Sequence, residues 1–200
     1  MNTKADREEQ LTLELLDAVG KQEDVSQRHL ASHMGVALGL ANSYLKRCIR
    51  KGFVKIRTAP ANRYLYYLTP KGFAEKSRLT VKYLHYSLEF YRRAGASCTR
   101  VFHQCGSRNY RRVLLAGCSD LAEIATLRAQ EHGIDIIGIY DEHDGRKRLA
   151  GKSVWTTLAS CRPFDACVLT DLDTPKAIYR NLSVVIGREK ILVPDILSLE

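Results

Sequence analysis

The chain has 200 residues, 45% of them apolar, and a formal net charge of +9 at pH 7, which allows one large or two small cores and makes indifference to polyanions implausible. It opens with the polar run MNTKADREEQ and nowhere approaches the roughly 18 consecutive apolar residues of a membrane span, so neither a secretory signal nor a membrane partner is expected and the expected location is cytoplasmic. The charge is divided: over residues 1–95 there are 17 Lys and Arg against nine Asp and Glu, whereas residues 112–200 hold 11 against 13.

Leu11, Leu15, Leu16 and Val19 recur at helical spacing and predict a first helix over residues 8–19. Ser26 caps a second, short helix, SQRHLASHM, with Leu30, Ala31 and Met34 inward, and Gly35 turns the chain. A third helix is predicted from about Leu38 to Lys51, with Ala41, Leu45, Cys48 and Ile49 inward and Gly52 as its left-handed stop. Its free face keeps Asn42, Ser43, Lys46, Arg47 and Arg50. From Val25 to Ala74, fifty residues carry nine Lys and Arg and no acid. An ordinary surface helix mixes both signs, so a one-signed helix points to an external polyanion. Two helices around a tight turn, the second basic and amide-bearing, form the layout that sets a helix into the major groove of double-stranded DNA. There Lys46 and Arg47 reach guanine edges or phosphates, and the Asn42 amide matches adenine. Gln27 and Arg28, at the start of the second helix, join the candidate contacts.

FVKIRT and YLYYLT then predict a hairpin around a proline-containing tip, with Val54, Ile56, Leu65 and Tyr67 alternating and Arg57, Asn62 and Arg63 at the tip. Such a wing can lie on the phosphate backbone or in the minor groove; a plain connecting turn is the alternative. After Thr69 and Pro70 a long helix is expected to about Arg93. Its apolar residues, Phe73, Leu79, Tyr83, Leu84, Tyr86, Leu88, Phe90 and Tyr91, cover more than one face. Either a homodimer partner or a second domain of the same chain would bury the excess.

The stretch VSQRHLASHMGVALGLANSYLKRCIRKGFVKIRT, followed by YLYYLTPKG, resembles the winged helix-turn-helix of MarR-type regulators, most closely the variety associated with exopolysaccharide gene clusters. The resemblance covers about residues 8–92 and implies that Leu38, Gly39, Asn42, Ser43, Lys46 and Arg47 face the groove. The family's recognition helix usually opens on Ser or Thr, where this chain has Ala37.

Residues 95–110 show no firm period and are expected to be a linker between a DNA-binding domain, 1–94, and a second domain, 111–200. RRVLLAG predicts a buried strand, and CSDLAEIATLRAQEHG an amphipathic helix capped by Ser119 or Asp120, with Leu121, Ile124, Ala125 and Leu127 inward. IDIIGIYD makes a second strand, DACVLTD a third, PKAIYRNLSVVIG a second helix and KILV a last strand. These elements predict an α/β domain on a parallel sheet of Rossmann-like kind. AGCSDLAE with its following strand and YD is similar to the small Rossmann-like domains of nucleotide-sugar enzymes and CoA-binding proteins.

A phosphate cradle needs glycines where backbone meets ligand and free amides at a helix start. Gly117, Ser119 and Ala122 stand where the dinucleotide fingerprint has three glycines, so only the first survives. Asp141 lies at the right distance to accept a ribose hydroxyl pair; the alternative is a glycine that only turns the chain and a solvated aspartate. Gly117, Ser119, Asp120, Leu121, Asp141 and Thr170 are therefore the candidate ligand residues, for a nucleotide or nucleotide sugar. The six cysteines form no CxxC pair and fit free thiols. Cys98, His103 and Cys105 could supply three metal ligands, but spacing places no fourth.

No catalytic set emerges. The expected function is a transcriptional regulator in which a winged helix binds DNA and a Rossmann-like module senses a small-molecule effector, an architecture that resembles the redox-sensing repressors joining the same two folds. The alternative is a nucleotide-sugar or CoA-dependent enzyme whose winged helix docks protein.

Overall fold

The structure is a computed structural model that describes residues 4–21, 25–59 and 63–199. Three helices open it: α1 (Lys4–Lys21), α2 (Gln27–His33) and α3 (Leu38–Arg50). Each starts and stops as local chemistry dictates. The Ser26 hydroxyl accepts the His29 N–H at 3.1 Å, and Gly35 (φ +59°) and Gly52 (φ +74°) adopt the left-handed conformation that ends α2 and α3. Ala37 offers no side-chain cap, and α3 begins instead on its backbone carbonyl, which accepts the N–H groups of Leu40 and Ala41 at 2.9 and 3.1 Å. Leu15, Leu16, Leu30, Ala41, Leu45 and Cys48 form the buried centre that joins the three helices.

Strands β1 (Val54–Ala59) and β2 (Arg63–Leu68) pair antiparallel, Val54 opposite Leu68 and Ala59 opposite Arg63. This is the expected wing, with one correction of phase. The register puts Val54, Ile56, Tyr66 and Leu68 on one face, so period-two alternation turns Tyr66 inward and Tyr67, expected inside, outward; Ile56, though in phase with Val54, is also exposed. Tyr66 is amphipathic, and its hydroxyl accepts from Gln27 Nε2 at 3.1 Å, which satisfies the polar tip of a buried ring.

Helix α4 spans Pro70–Ser107, 38 residues without a break. The expected end near Arg93 and the irregular linker after it are corrected here. Ala94, Cys98, Val101, Phe102 and Cys105 are buried at helical spacing. The period is hidden in the sequence because alanine and cysteine do the packing. It also dissolves the imagined metal triplet, since Cys98 and Cys105 point into the core while His103 is exposed. The chain divides into two compact units, Met1–Ser87 and Leu88–Glu200.

The second unit is a six-stranded sheet in the order β5-β6-β4-β3-β7-β8, built from β3 (Arg112–Ala116), β4 (Asp135–Tyr140), β5 (Arg148–Leu149), β6 (Lys152–Trp155), β7 (Ala166–Leu169) and β8 (Ile191–Leu192). All neighbours run parallel except β5 and β6. Helices α5 (Asp120–Glu131) and α6 (Pro175–Ile186) are the crossovers. Along β3, Val113 and Leu115 join one core with α5 and the second half of α4, and Leu114 and Ala116 join another with Leu182 of α6. Both faces are covered, so the strand reads as an unbroken apolar run. Leu127, expected inward on α5, is 53% exposed; the buried arc passes instead through the small side chains of Ala122, Ala125, Thr126 and Ala129. The β5–β6 hairpin is an addition to the expected elements. Its two-residue turn, Ala150 (φ +47°) and Gly151 (φ +76°), joins strands too short for alternation to show.

Candidate nucleic-acid interface

With Ala41, Leu45 and Cys48 buried, the opposite side of α3 at about 100° per residue is the stripe Gly39, Ser43, Lys46 and Arg50, all exposed. Leu38 is also exposed at the start of the helix. Asn42 and Arg47 lie on the two flanks. Asn42 is half-buried and its Oδ1 is out of solvent without a hydrogen-bond partner. Arg47 Nη1 meets Glu8 Oε2 of α1 at 2.9 Å, with the guanidinium 5.4 Å from the centre of the Tyr44 ring. Glu8 holds the Arg47 guanidinium above its usual pKa through the hydrogen bond first and its charge second.

Other acids of α1 and α4 pair with cations away from the α3 stripe. Glu9 pairs with Lys82 and Arg78, Asp17 with Lys21 and Lys76, and Glu75 with Arg78. The Lys82 hydrogen bond holds the Glu9 carboxyl below its ordinary range, and the Lys21 and Lys76 bonds do the same for Asp17. Among the described residues, no salt bridge reaches Arg28, Lys46, Arg50, Lys55 or Arg57, which are all exposed. The sequence groups Arg47 with the free cations, and only the fold shows that α1 neutralises it. Gln27 is likewise tied to the wing through Tyr66. Arg57 stands on β1, Arg63 begins β2, and Asn62 lies outside the described residues.

The wing is fixed to α4 by the Thr-Pro-Lys-Gly turn. Thr69 Oγ1 donates to the Gly52 carbonyl at 2.6 Å and accepts the Gly72 N–H at 3.0 Å. The Thr69 N–H donates to the Phe53 carbonyl at 3.0 Å. Gly72 is required by close approach, since a Cβ there would lie 2.9 Å from the Phe53 carbonyl carbon.

The six candidate ligand residues gather at the carboxyl edge of the parallel sheet, where such folds bind ligands. Gly117 (φ +110°) follows β3, and a Cβ on it would lie 2.5 Å from Asp171 Cα. Ser119 Oγ accepts the Leu121 and Ala122 N–H groups at 3.1 and 3.4 Å and donates to the Thr170 carbonyl. Thr170 Oγ1 donates to the Gly117 carbonyl at 2.7 Å. Asp141 Oδ2 accepts the Cys118 N–H at 2.8 Å, and its Oδ1 accepts those of His143 and Asp144 at 3.0 Å each. Asp120 is exposed and Leu121 buried. Chain groups thus already hold the amides and carboxylate that a nucleotide would use.

Cys118, Asp141 and Asp144 offer ligand atoms within 4.8 Å of one another. Burial first, then the two aspartates, push the Cys118 thiol up to about 11, so it stays protonated near neutrality. Arg146 pairs with Asp144 at 2.6 Å and donates to the Cys118 carbonyl at 3.0 Å, which supplies the positive charge the cluster needs.

A family profile described as winged helix-turn-helix DNA-binding matches residues 8–55, which are α1, α2, α3 and the start of the wing. The N-terminal unit therefore contains a winged helix-turn-helix DNA-binding domain. No curated protein matches the chain. Among solved structures, "PigF with SAH" aligns with 90% of this chain and 70% of its own at 14% identity and a TM-score of 0.31, a likeness too slight to carry an argument. Among the described residues, no helix is long and apolar enough to cross a membrane.

Proposed function

We propose that the chain is a transcriptional regulator of MarR type that binds double-stranded DNA through the Gly39–Ser43–Lys46–Arg50 stripe and rests its wing on the backbone. The observation that carries this reading is the stripe itself: exposed, cationic and without acid partners, inside a domain whose Glu8, Glu9, Asp17 and Glu75 are engaged elsewhere. Lys46 and Arg50 supply phosphate or guanine contacts, Ser43 a small donor and acceptor, and Gly39 room for close approach. Arg57 extends the cationic surface onto β1.

The test is duplex binding measured by fluorescence anisotropy over a salt series, since each neutralised phosphate contributes about −0.9 to the slope of log K against log salt. Lys46→Ala with Arg50→Ala is expected to flatten the slope by about two, whereas Arg47→Ala leaves it unchanged. A flat response in the wild-type chain overturns the reading. Sequencing the genomic fragments it retains identifies the operator and shows whether polysaccharide genes adjoin it.

The second unit acts in this reading by binding, not turnover, and receives a nucleotide-like or nucleotide-sugar effector at the carboxyl edge of its sheet. The topology of an open parallel sheet supports that place. The ligand has to displace Ser119 from the α5 amides or bind beside them. Calorimetry with nucleotides and nucleotide sugars tests it, and absence of heat with all of them makes the unit a platform for other proteins.

A further inference from the structure

Glu8 reaches α3 from outside the fifty residues that lack acid, 39 positions before the arginine it binds. Its Oε2 accepts from Arg47 Nη1 at 2.9 Å, and the two side chains are 38% and 39% exposed, so the pair is half-shielded from water. The Tyr44 ring lies 5.4 Å from the same guanidinium. A cation within about 6 Å of an aromatic ring is attracted to its face, so carboxylate and ring together hold the arginine at the flank of α3. Arg47 comes one turn after Ser43 of the exposed stripe and about 40° round the helix from it. A released arginine at that angle reaches the phosphates beside the groove that the stripe enters.

The other acids of α1 take different partners. Glu9 turns to α4, where Lys82 and Arg78 bind it, and Asp17 binds Lys76 of α4 and Lys21 of its own helix. Glu8 instead takes a cation on the helix that presents the stripe. We propose, resting on the DNA-binding reading, that Glu8 is an autoinhibitory positioning residue: it withholds Arg47 from the phosphodiester backbone and thereby lowers the affinity for duplex of any sequence. The Nη1 donor serves a carboxylate or a phosphate, not both. A phosphate has to displace an anion already in contact, and exchanging one exposed ion pair for another gains little, so Arg47 adds no net contact while Glu8 is charged. The part of the affinity that Glu8 removes is the sequence-independent part, which holds such proteins on DNA that lacks their operator.

Fluorescence anisotropy of the full chain with a random-sequence duplex over a salt series tests the latch. Glu8→Gln keeps the length and helix propensity of the side chain and removes its charge. It is expected to steepen the slope of log K against log salt by about 0.9, one further phosphate contact, and to tighten binding about eightfold at 0.1 M salt. Glu8→Gln with Arg47→Ala is expected to return to the wild-type slope, since the gain belongs to Arg47. Glu9→Gln removes the same charge one position away and is expected to leave the slope in place, which separates the latch from a general rise in net charge. A merely structural Glu8 would move the urea midpoint and not the slope. A Glu8→Gln slope equal to the wild type, a Glu9→Gln slope as steep as that of Glu8→Gln, or a double variant that stays steep overturns the latch while wild-type salt dependence still upholds the DNA-binding reading. A wild-type chain whose binding ignores salt overturns both.

Discussion

Replacing Gly72 by alanine adds one methyl group at the point where α4 meets the entry to the wing. That carbon would lie 2.9 Å from the Phe53 carbonyl carbon and 3.2 Å from its Cα, with the carbonyl oxygen nearer still. Comfortable carbon contacts are about 3.5–4.0 Å, so the Phe53 backbone must retreat by about 1 Å. The same carbonyl accepts the Thr69 N–H at 3.0 Å, and Thr69 Oγ1 holds the Gly72 N–H, so retreat strains both bonds. Overpacking costs about 1–3 kcal/mol and each weakened hydrogen bond up to about 1 kcal/mol, while alanine in a helix returns about 1 kcal/mol. The net loss is centred on about 2 kcal/mol, with about 4 kcal/mol as its upper end, read as a lower urea midpoint for the unfolding of the winged unit. Gly39→Ala is the control: nothing lies within 4 Å of its added carbon, and stability should be unchanged or rise by up to about 1 kcal/mol. A Gly72→Ala protein as stable as the wild type would refute the reasoning.

In the second unit, Asp165 accepts the N–H groups of Arg112 and Arg111 at 2.8 Å each, and these bonds, Arg112 first, hold its carboxyl below the ordinary range. A depressed carboxyl stabilises the fold above its unfolded pKa, and that contribution is lost as the pH falls through the folded value. Asp165→Asn should therefore lower the urea midpoint at pH 7 but not well below about pH 3, and an equal deficit at both would disprove the ionic origin. Ala150 holds a left-handed φ of +47° in the β5–β6 turn. Ala150→Gly should raise thermal stability by relieving about 1 kcal/mol of strain, and a lower melting temperature would show that the turn is unstrained.

Much of the fold is legible in the sequence because it rests on local rules. Ser26, Gly35 and Gly52 bound the first helices, and the absence of acid from Val25 to Ala74 fixes the positive sign of that stretch. Those signals act within a few residues and survive in any tertiary setting. The second half of α4 is not legible in this way, because Ala94, Cys98 and Cys105 are small residues whose burial depends on the sheet they meet. Nor is the β5–β6 hairpin, because two paired residues give no period.

Sequence alone set the helix pair, the wing, the parallel sheet and the sign of the charge, since propensity, capping and composition are properties of neighbours in the chain. Only the tertiary structure decided which cations stay unpaired. Arg47 and Lys46 are adjacent in sequence, yet a turn of about 100° gives one to Glu8 across 39 positions and leaves the other exposed. The carboxyl edge of the sheet follows the same rule: whether Ser119 and Asp141 serve a ligand or the chain depends on how near Thr170 and Cys118 come, a distance fixed by packing and not by spacing along the sequence.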